Sequence, residues 1–262
     1  MYKFNKFGRD YSILKAEAVQ HYQKRLKCVQ ISNLMNVDRR TIGKWLKEAG
    51  FVYSKNNKAN INSEIFETID TQEKAYWLGF IYADGYVSKE SNFELSLSIK
   101  DLSHLEKFKS FLEFEGKIYI DQKVGRCRLQ FRDVKIVSSL KQLGCVNKKS
   151  LILRFPEISD DLKSHFIRGY FEGDGYISDP KRSVAVSIVG TEEFLKSIHD
   201  VTNLPKENIK HRNPKHSKEV FTNMISGKNA RKLCRYMYEN ATVYLDRKYQ
   251  RVIDHLKKFE NE

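Results

Sequence analysis

The stretch Trp77-Leu78-Gly79-Phe80-Ile81-Tyr82-Ala83-Asp84-Gly85-Tyr86-Val87-Ser88 comes back later in the chain as Ile167-Arg168-Gly169-Tyr170-Phe171-Glu172-Gly173-Asp174-Gly175-Tyr176-Ile177-Ser178. Gly, a small residue, Asp, Gly, Tyr, an aliphatic residue and Ser recur in order, at a constant offset of 90 residues. Each copy reads as the C-terminal half of a helix. Gly79 and Ala83, and likewise Gly169 and Gly173, lie four apart on one helix face. A glycine inside a helix costs about 1 kcal/mol relative to alanine, so close packing of two such faces should compensate. Asp84 and Asp174 then fall in the last turns, with Gly85 and Gly175 as the expected helix stops. An acid is poorly placed at the negative end of a helix, and two acids brought together repel. A divalent cation relieves both problems. Hard cations such as Mg2+ prefer carboxylate and water oxygens and support phosphodiester hydrolysis. One Asp-Gly alone would read as a turn; two in matched contexts read as a paired site.

The segments downstream of the two copies also match. After the first, Phe93, Leu95, Leu97 and Ile99 alternate with Glu94, Ser96, Ser98 and Lys100; after the second, Val184, Val186 and Ile188 alternate with Ser183, Ala185 and Ser187. Period two marks half-buried antiparallel strands. A helix comes next in each half, Leu102 to Phe111 with Ser103 and Glu106 fitting a capping box, and Thr191 to Val201. A hairpin then turns at Gly125. Its second strand sets Arg126, Arg128, Gln130 and Arg132 on one face and Cys127, Leu129 and Phe131 on the other. The basic face suits phosphates and base edges, to which Arg and Gln form paired hydrogen bonds; a merely solvated face is the plainer reading. The matching region, Lys210 to Ser226, is looser and carries Lys210, Arg212, Lys215 and Lys218. Closing helices are expected over Val134 to Leu143 and Ala230 to Tyr238, then through Asp246-Arg247-Lys248-Tyr249 to Phe259.

The segments Trp77 to Gly85 and Ile167 to Gly175 resemble the paired motif of LAGLIDADG homing endonucleases, and the resemblance extends over about residues 65 to 255. It implies an α+β fold of two pseudo-symmetric αββαββα repeats forming a DNA-binding saddle. The catalytic acids implied are Asp84 and Asp174, which would hold Mg2+ together with the carbonyls of Ala83 and Gly173, Mn2+ being able to substitute. The implied reaction is double-strand cleavage across the minor groove, leaving short 3′ overhangs and promoting mobility of the gene or its intron. The family often keeps basic residues near the site. Lys228, just before a helix starting at Asn229, sits where one is expected, with Lys135 or Arg132 the weaker counterpart in the first half. The chain departs from the motif at Tyr82 and Glu172, which replace its first acid, and in aromatics that replace its leucines. These positions are expected to face the body of each half, without loss of activity.

Ahead of the repeats, Ala16 to Arg25 reads as a helix, Ile31, Leu34 and Met35 mark a second, and Arg39 to Ala49 is a third, capped by Asp38 and closed by Gly50. Ile42, Trp45 and Leu46 give the third helix a buried face, opposite Arg39, Arg40, Lys44 and Lys47. Residues 31–46 resemble the helix-turn-helix of resolvases and transposases, which implies groove or phosphate contacts by Arg39, Arg40, Thr41, Lys44 and Lys47. The domains expected are a helix-turn-helix domain at 1–53, a basic polar linker at 54–63, the first repeat at 64–156 and the second at 157–262.

Lys and Arg number 47 against 33 acids, a net charge of +14. Such an excess points to a polyanionic partner through release of counterions from phosphates. The expected contacts on the repeats are Ser96, Ser98, Lys100, Arg126, Arg128, Gln130, Arg132, Ser187, Lys210, Arg212 and Lys218, on a long, asymmetric duplex bound by a monomer. No apolar run reaches a membrane span of about 18–20 residues, and no secretory leader precedes the first helix, so a cytoplasmic, nucleoid-associated protein of bacterial or phage origin is expected. The four cysteines form no C-x-x-C pair and argue against zinc. An embedded intein is not expected, since the chain starts with Met1 and lacks a terminal His-Asn. The rival readings are a saddle that binds DNA without cutting it and an intron RNA maturase, with RNA as its partner.

Overall fold

The computed structural model describes residues 10–24, 26, 28–51, 59–146, 152–206, 209–212 and 220–258, and its chain divides into two compact units, Met1–Lys58 and Ala59–Glu262. The first unit holds α1 (Tyr11–Gln23), α2 (Cys28–Met35) and α3 (Arg39–Glu48). Their core is Leu14, Ala18, Cys28, Ile31, Met35, Ile42, Trp45 and Leu46. α1 starts well before the expected Ala16, because the Asp10 carboxylate accepts from Ser12 N at 2.7 Å and caps the helix there. Of the residues that mark the second helix, Ile31 and Met35 are buried and Leu34 is 62% exposed. The reading of α3 holds: Asp38 accepts from Arg40 N at 2.8 Å, and Gly50 comes after it in the left-handed region at φ 83°. The expected linker lies outside the described residues as far as Lys58.

The second unit runs α4 (Gln72–Asp84), β1 (Gly85–Val87), β2 (Asn92–Ser98), α5 (Leu102–Phe111), β3 (Ile118–Asp121), β4 (Arg126–Arg132) and α6 (Val134–Gln142). It continues with α7 (Lys163–Asp174), β5 (Tyr176–Ile177), β6 (Ala185–Gly190), α8 (Glu192–Thr202), β7 (Ile209–His211), β8 (Phe221–Ser226), α9 (Gly227–Tyr238) and α10 (Asp246–Lys257). Two four-stranded antiparallel sheets result, ordered β1-β2-β4-β3 and β5-β6-β8-β7. Each sheet turns one face to helices: Phe93, Leu95, Leu97, Cys127 and Leu129 in the first, Val186, Ile188 and Ile225 in the second, are buried. Each large apolar side chain buried in this way contributes about 1.5–3 kcal/mol. All four cysteine thiols are buried and none forms a disulfide.

Four local expectations give way to tertiary structure. β2 stops at Ser98; Ile99–Asp101 forms a 3-10 turn in which Ser98 Oγ accepts from Lys100 N, so Lys100 is off the strand. The capping box at Ser103 and Glu106 does not form. Asp101 is the N-cap of α5 without a side-chain bond, because its carboxylate takes the Arg247 guanidinium at 2.9 Å. α9 begins at Gly227, which puts Lys228 in its first turn rather than ahead of it. Gly85 and Gly175 do not stop their helices in a left-handed turn. Both are extended, at φ −74° and −85°, and lead straight into β1 and β5. A side chain at Gly85 is excluded by crowding, since a Cβ there would lie 2.7 Å from Ile81 Cγ2.

Candidate active site and nucleic-acid interface

α4 is buried from Ala75 to Tyr82 and α7 from His165 to Glu172, α7 carrying the buried polar residues His165, Arg168 and Glu172 along one face. A helix covered on every side belongs at the centre of a core. These two pack against each other backbone to backbone. A Cβ on Gly79 would collide with the Phe166 carbonyl oxygen, and a Cβ on Gly169 with that of Tyr76, a reciprocal pair of contacts. One turn on, a Cβ on Gly173 would collide with Ala83 Cβ and lie 3.2 Å from Asp84 Oδ2. The Asp84 carboxylate therefore sits against the last turn of α7. Small residues at i and i+4 are what let the two helix ends, and their acids, approach.

Asp84 and Asp174 are both exposed. Two buried groups feel both of them. The Tyr170 phenol, which donates to Val189 O at 2.7 Å, is driven far up in pKa by burial and then by Asp174 and Asp84. Lys248 is 6% exposed, and its Nζ donates to the carbonyls of Phe171 at 2.8 Å and Gly175 at 2.5 Å. Burial and then the neighbouring Arg247 push the Lys248 ammonium down to about 8, against the opposing pull of Glu172, Asp84 and Asp174. It thus caps the carbonyl end of α7, where a cation is favoured, within electrostatic reach of both acids.

Sequence reasoning assigned Lys248 no role. A signal was present: Arg247 and Lys248 lie in the first turn of α10, the positive end of a helix, where cations are unfavourable. Each has a partner elsewhere that explains it, Asp101 for Arg247 and the end of α7 for Lys248. Of the first-half candidates, Lys135 is held by Glu64 and Glu67 at 2.7 Å each and Arg132 is exposed, as is Lys228.

Glu172 does not merely face the body of its own half. Fully buried, it accepts from Tyr76 OH of α4 at 2.5 Å, from Tyr238 OH at 2.7 Å and from Leu245 N at 2.7 Å. Burial raises it to about 7 despite these donors and the nearby Arg168. Arg168, also fully buried, donates to Val243 O and Met237 O and lies over the Tyr76 ring. His104 Nε2 meets Tyr76 OH at 2.9 Å and is depressed to about 3, chiefly by burial. The counterpart of Glu172, Tyr82, donates to Leu143 O within the first half. Glu172 thereby ties α4, α9 and the approach to α10, and so the segment bearing Lys248, to the acid-bearing helix.

The face of the first sheet away from its helices carries Ser96, Ser98, Arg126, Arg128, Gln130 and Arg132, the arginines and the glutamine exposed. Arg128 is steadied by Glu94, 3.7 Å away, and by the Tyr119 ring. On the second sheet Ser187 is nearly covered, while Lys210 and Arg212 are exposed and Lys218 lies outside the described residues. In the first unit Arg39, Arg40, Lys44 and Lys47 are exposed on α3 and Thr41 is half-buried. Among the described residues no three His, Cys, Asp or Glu side chains cluster as a metal cage, and no helix is long and apolar enough to cross a membrane.

No family model matches the chain. Two curated proteins of Methanocaldococcus jannaschii are similar in part: a DNA polymerase, 31% identical over 158 residues, and a replication factor C small subunit, 31% identical over 131 residues. The matches cover 50% and 46% of this chain but only 9% and 7% of those proteins, so the chain spans less than a tenth of the curated relatives it matches. Among solved structures, the I-LtrWI LAGLIDADG homing endonuclease bound to target DNA aligns over 77% of this chain and 92% of its own, with a TM-score of 0.50 and 13% identity. The mixed helix and antiparallel-sheet fold is thus that of a LAGLIDADG homing endonuclease.

Proposed function

We propose that the chain is a site-specific endonuclease that binds a long DNA duplex and hydrolyses one phosphodiester in each strand, promoting mobility of its own gene or intron. The observation that carries this is the pair of exposed acids, Asp84 and Asp174, mounted on two helices whose glycines permit backbone contact. The two carboxylates, with the carbonyls of Ala83 and Gly173 that precede them in the chain, would offer an all-oxygen donor set. That set fits Mg2+, which takes few protein ligands and completes its shell with water and phosphate, and Mn2+ can replace it. Bound there, the ion would lower the pKa of water and neutralise charge on the phosphate. Asp84 and Asp174 would hold it. Lys248 keeps its ammonium at the end of α7 at neutral pH, fixing that end and offsetting the acids' repulsion as the phosphate arrives. Lys228, in the first turn of α9, is a second cation for the scissile strand.

Position on the duplex comes from Arg126, Arg128, Gln130 and Arg132 on the first sheet, with Ser96, Ser98 and, beside them, Lys100; from Lys210, Arg212 and Lys218 in the second half, where Ser187 is covered and engaged by Thr222; and from Arg39, Arg40, Thr41, Lys44 and Lys47 of the first unit, read as a helix-turn-helix module. The test uses a duplex spanning the chain's own gene with the interrupting DNA removed. Cleavage of both strands is expected in Mg2+ and none in EDTA. Equal binding by the native chain and an Asp84→Asn, Asp174→Asn variant, with neither ever nicking in Mg2+, overturns it.

A further inference from the structure

The two sheets present different chemistry at equivalent places. Pairing register aligns the row Tyr86–Glu94–Gln130 with Tyr176–Ser187–Met224, and the next row, Ser96–Arg128–Tyr119, with Val189–Thr222–Lys210. On the two central strands the second sheet thus has Ser187 for Glu94, Met224 for Gln130 and Thr222 for Arg128. Its hydroxyls are also engaged: Ser187 Oγ and Thr222 Oγ1 bond each other at 2.8 Å, and Thr222 Oγ1 reaches Ile188 O at 3.3 Å. What remains toward solvent in the middle of the two central strands is methyl and thioether surface, Met224 being 53% exposed, bordered by the Tyr176 ring, by the exposed Lys210 on the edge strand and by Ser226 at the end of β8. The first sheet keeps a carboxylate, an amide and a guanidinium at the same places, the acid and the guanidinium 3.7 Å apart.

We infer that the target is chemically divided: the half-site under the first sheet is read by hydrogen bonds to G, A and C, and the half-site under the second through thymine methyls. The inference rests on the proposed DNA reading. Arginine and glutamine recognise guanine and adenine in pairs of hydrogen bonds, a carboxylate accepts from cytosine N4, and apolar side chains pack on the thymine methyl, the one apolar group in the major groove. An apolar surface leaves the polar edge of any base pair unsatisfied, but an A·T pair recovers part of that loss through its thymine methyl and a G·C pair does not. The second sheet therefore selects by excluding G·C pairs, and more permissively than the first.

The test is selection of bound duplexes from a randomised library by the full chain and by Met224→Arg and Gln130→Leu variants, both changes being at exposed positions. One half of the recovered site is expected to be rich in thymine and the other in G·C. Met224→Arg should install a guanine preference of about five-fold or more at one position, within the thymine-rich half. Gln130→Leu should relax a position in the opposite half. Recovered sites of like composition in both halves, or a Met224→Arg change that falls in the G·C-rich half or nowhere, overturn the inference while leaving DNA binding intact. Recovery of no duplex overturns it together with the DNA reading.

Discussion

Replacing Gly79 by alanine adds a single methyl where the fold has no space for one. Its Cβ would fall on the Phe166 carbonyl oxygen, 2.8 Å from Tyr170 N and 2.9 Å from Phe166 C. All three are main-chain atoms of α7, so no side chain can swing aside. Moving Tyr170 N out to ordinary contact requires α4 and α7 to part by about 0.6 Å, and the oxygen requires more. Overpacking of this kind costs about 1–3 kcal/mol, offset in part by the ~1 kcal/mol that alanine gains over glycine inside a helix. A fall in Tm of up to about 8 °C is expected for a unit of this size. The larger effect is on the acids, because the two helices are their mountings. A misplacement of about 1 Å at a reacting centre can cost on the order of 100-fold in rate. The assay is thermal unfolding beside single-turnover cleavage well below the transition, with DNA affinity measured in parallel. Gly169→Ala, which meets Tyr76 O, should behave alike. A folded Gly79→Ala protein that cuts at the native rate would refute the claim that backbone contact sets the register of Asp84 and Asp174.

Asp84→Asn and Asp174→Asn should each lower cleavage by about 100-fold or more while leaving affinity in EDTA intact; single variants that cut normally would remove the acids from the mechanism. Lys248→Met strips the Phe171 and Gly175 carbonyls of their donor, and should cost about 1–3 kcal/mol of stability and slow cleavage more than Lys228→Met does; the opposite order, in paired denaturation and cleavage assays, would restore Lys228 as the principal cation. The buried network also predicts a partly offset pH dependence. Glu172, raised to about 7, makes the folded protein bind the extra proton between about 4.5 and 7, so its contribution to stability grows as pH falls through that window. His104, depressed to about 3, makes the unfolded chain bind the extra proton between about 3 and 6.5, so its contribution is lost as pH falls. The two oppose each other between about 4.5 and 6.5. His165, depressed to about 4 by burial and then by Arg168, adds to the His104 loss, so Glu172→Gln should steepen the fall in stability by about 1.4 kcal/mol per pH unit between about pH 6.5 and 4.5 in urea titrations; a variant whose pH dependence matches the native protein's contradicts the coupling.

The strands and central helices were legible because their signals are local. Period two marks β2 and β4, and the Gly-to-Gly spacing marks the contact of α4 with α7. Misread features depend on residues far along the chain. Ser103 and Glu106 look like a capping box until Arg247, from α10, takes the Asp101 carboxylate. Gly85 and Gly175 look like left-handed stops until crowding against Ile81 and Phe171 supplies the actual reason for glycine. The acids were found because the repeat compares them with each other. Lys248 has no such internal comparison among the described residues, and its importance appears only where α10 meets the end of α7. Glu172 was noticed as a departure from a motif, but its link to Tyr76 across the halves is a tertiary fact.

The seam between the halves has a consequence for assembly. α4 is buried on every side, and α7 supplies one of those sides, so neither half alone can cover its central helix. Arg247 to Asp101 and Lys107 to Asp246 fasten the last helix of the chain back onto the first half. The halves should therefore fold as one cooperative unit, whose nucleus joins residues about ninety positions apart and forms slowly for that reason. A chain severed between α6 and α7 would yield two fragments, each exposing when alone the helix that the other covers. Both should remain unfolded or aggregate until mixed, and then regain structure together. In this architecture the repeat is a doubled sequence but a single folding event.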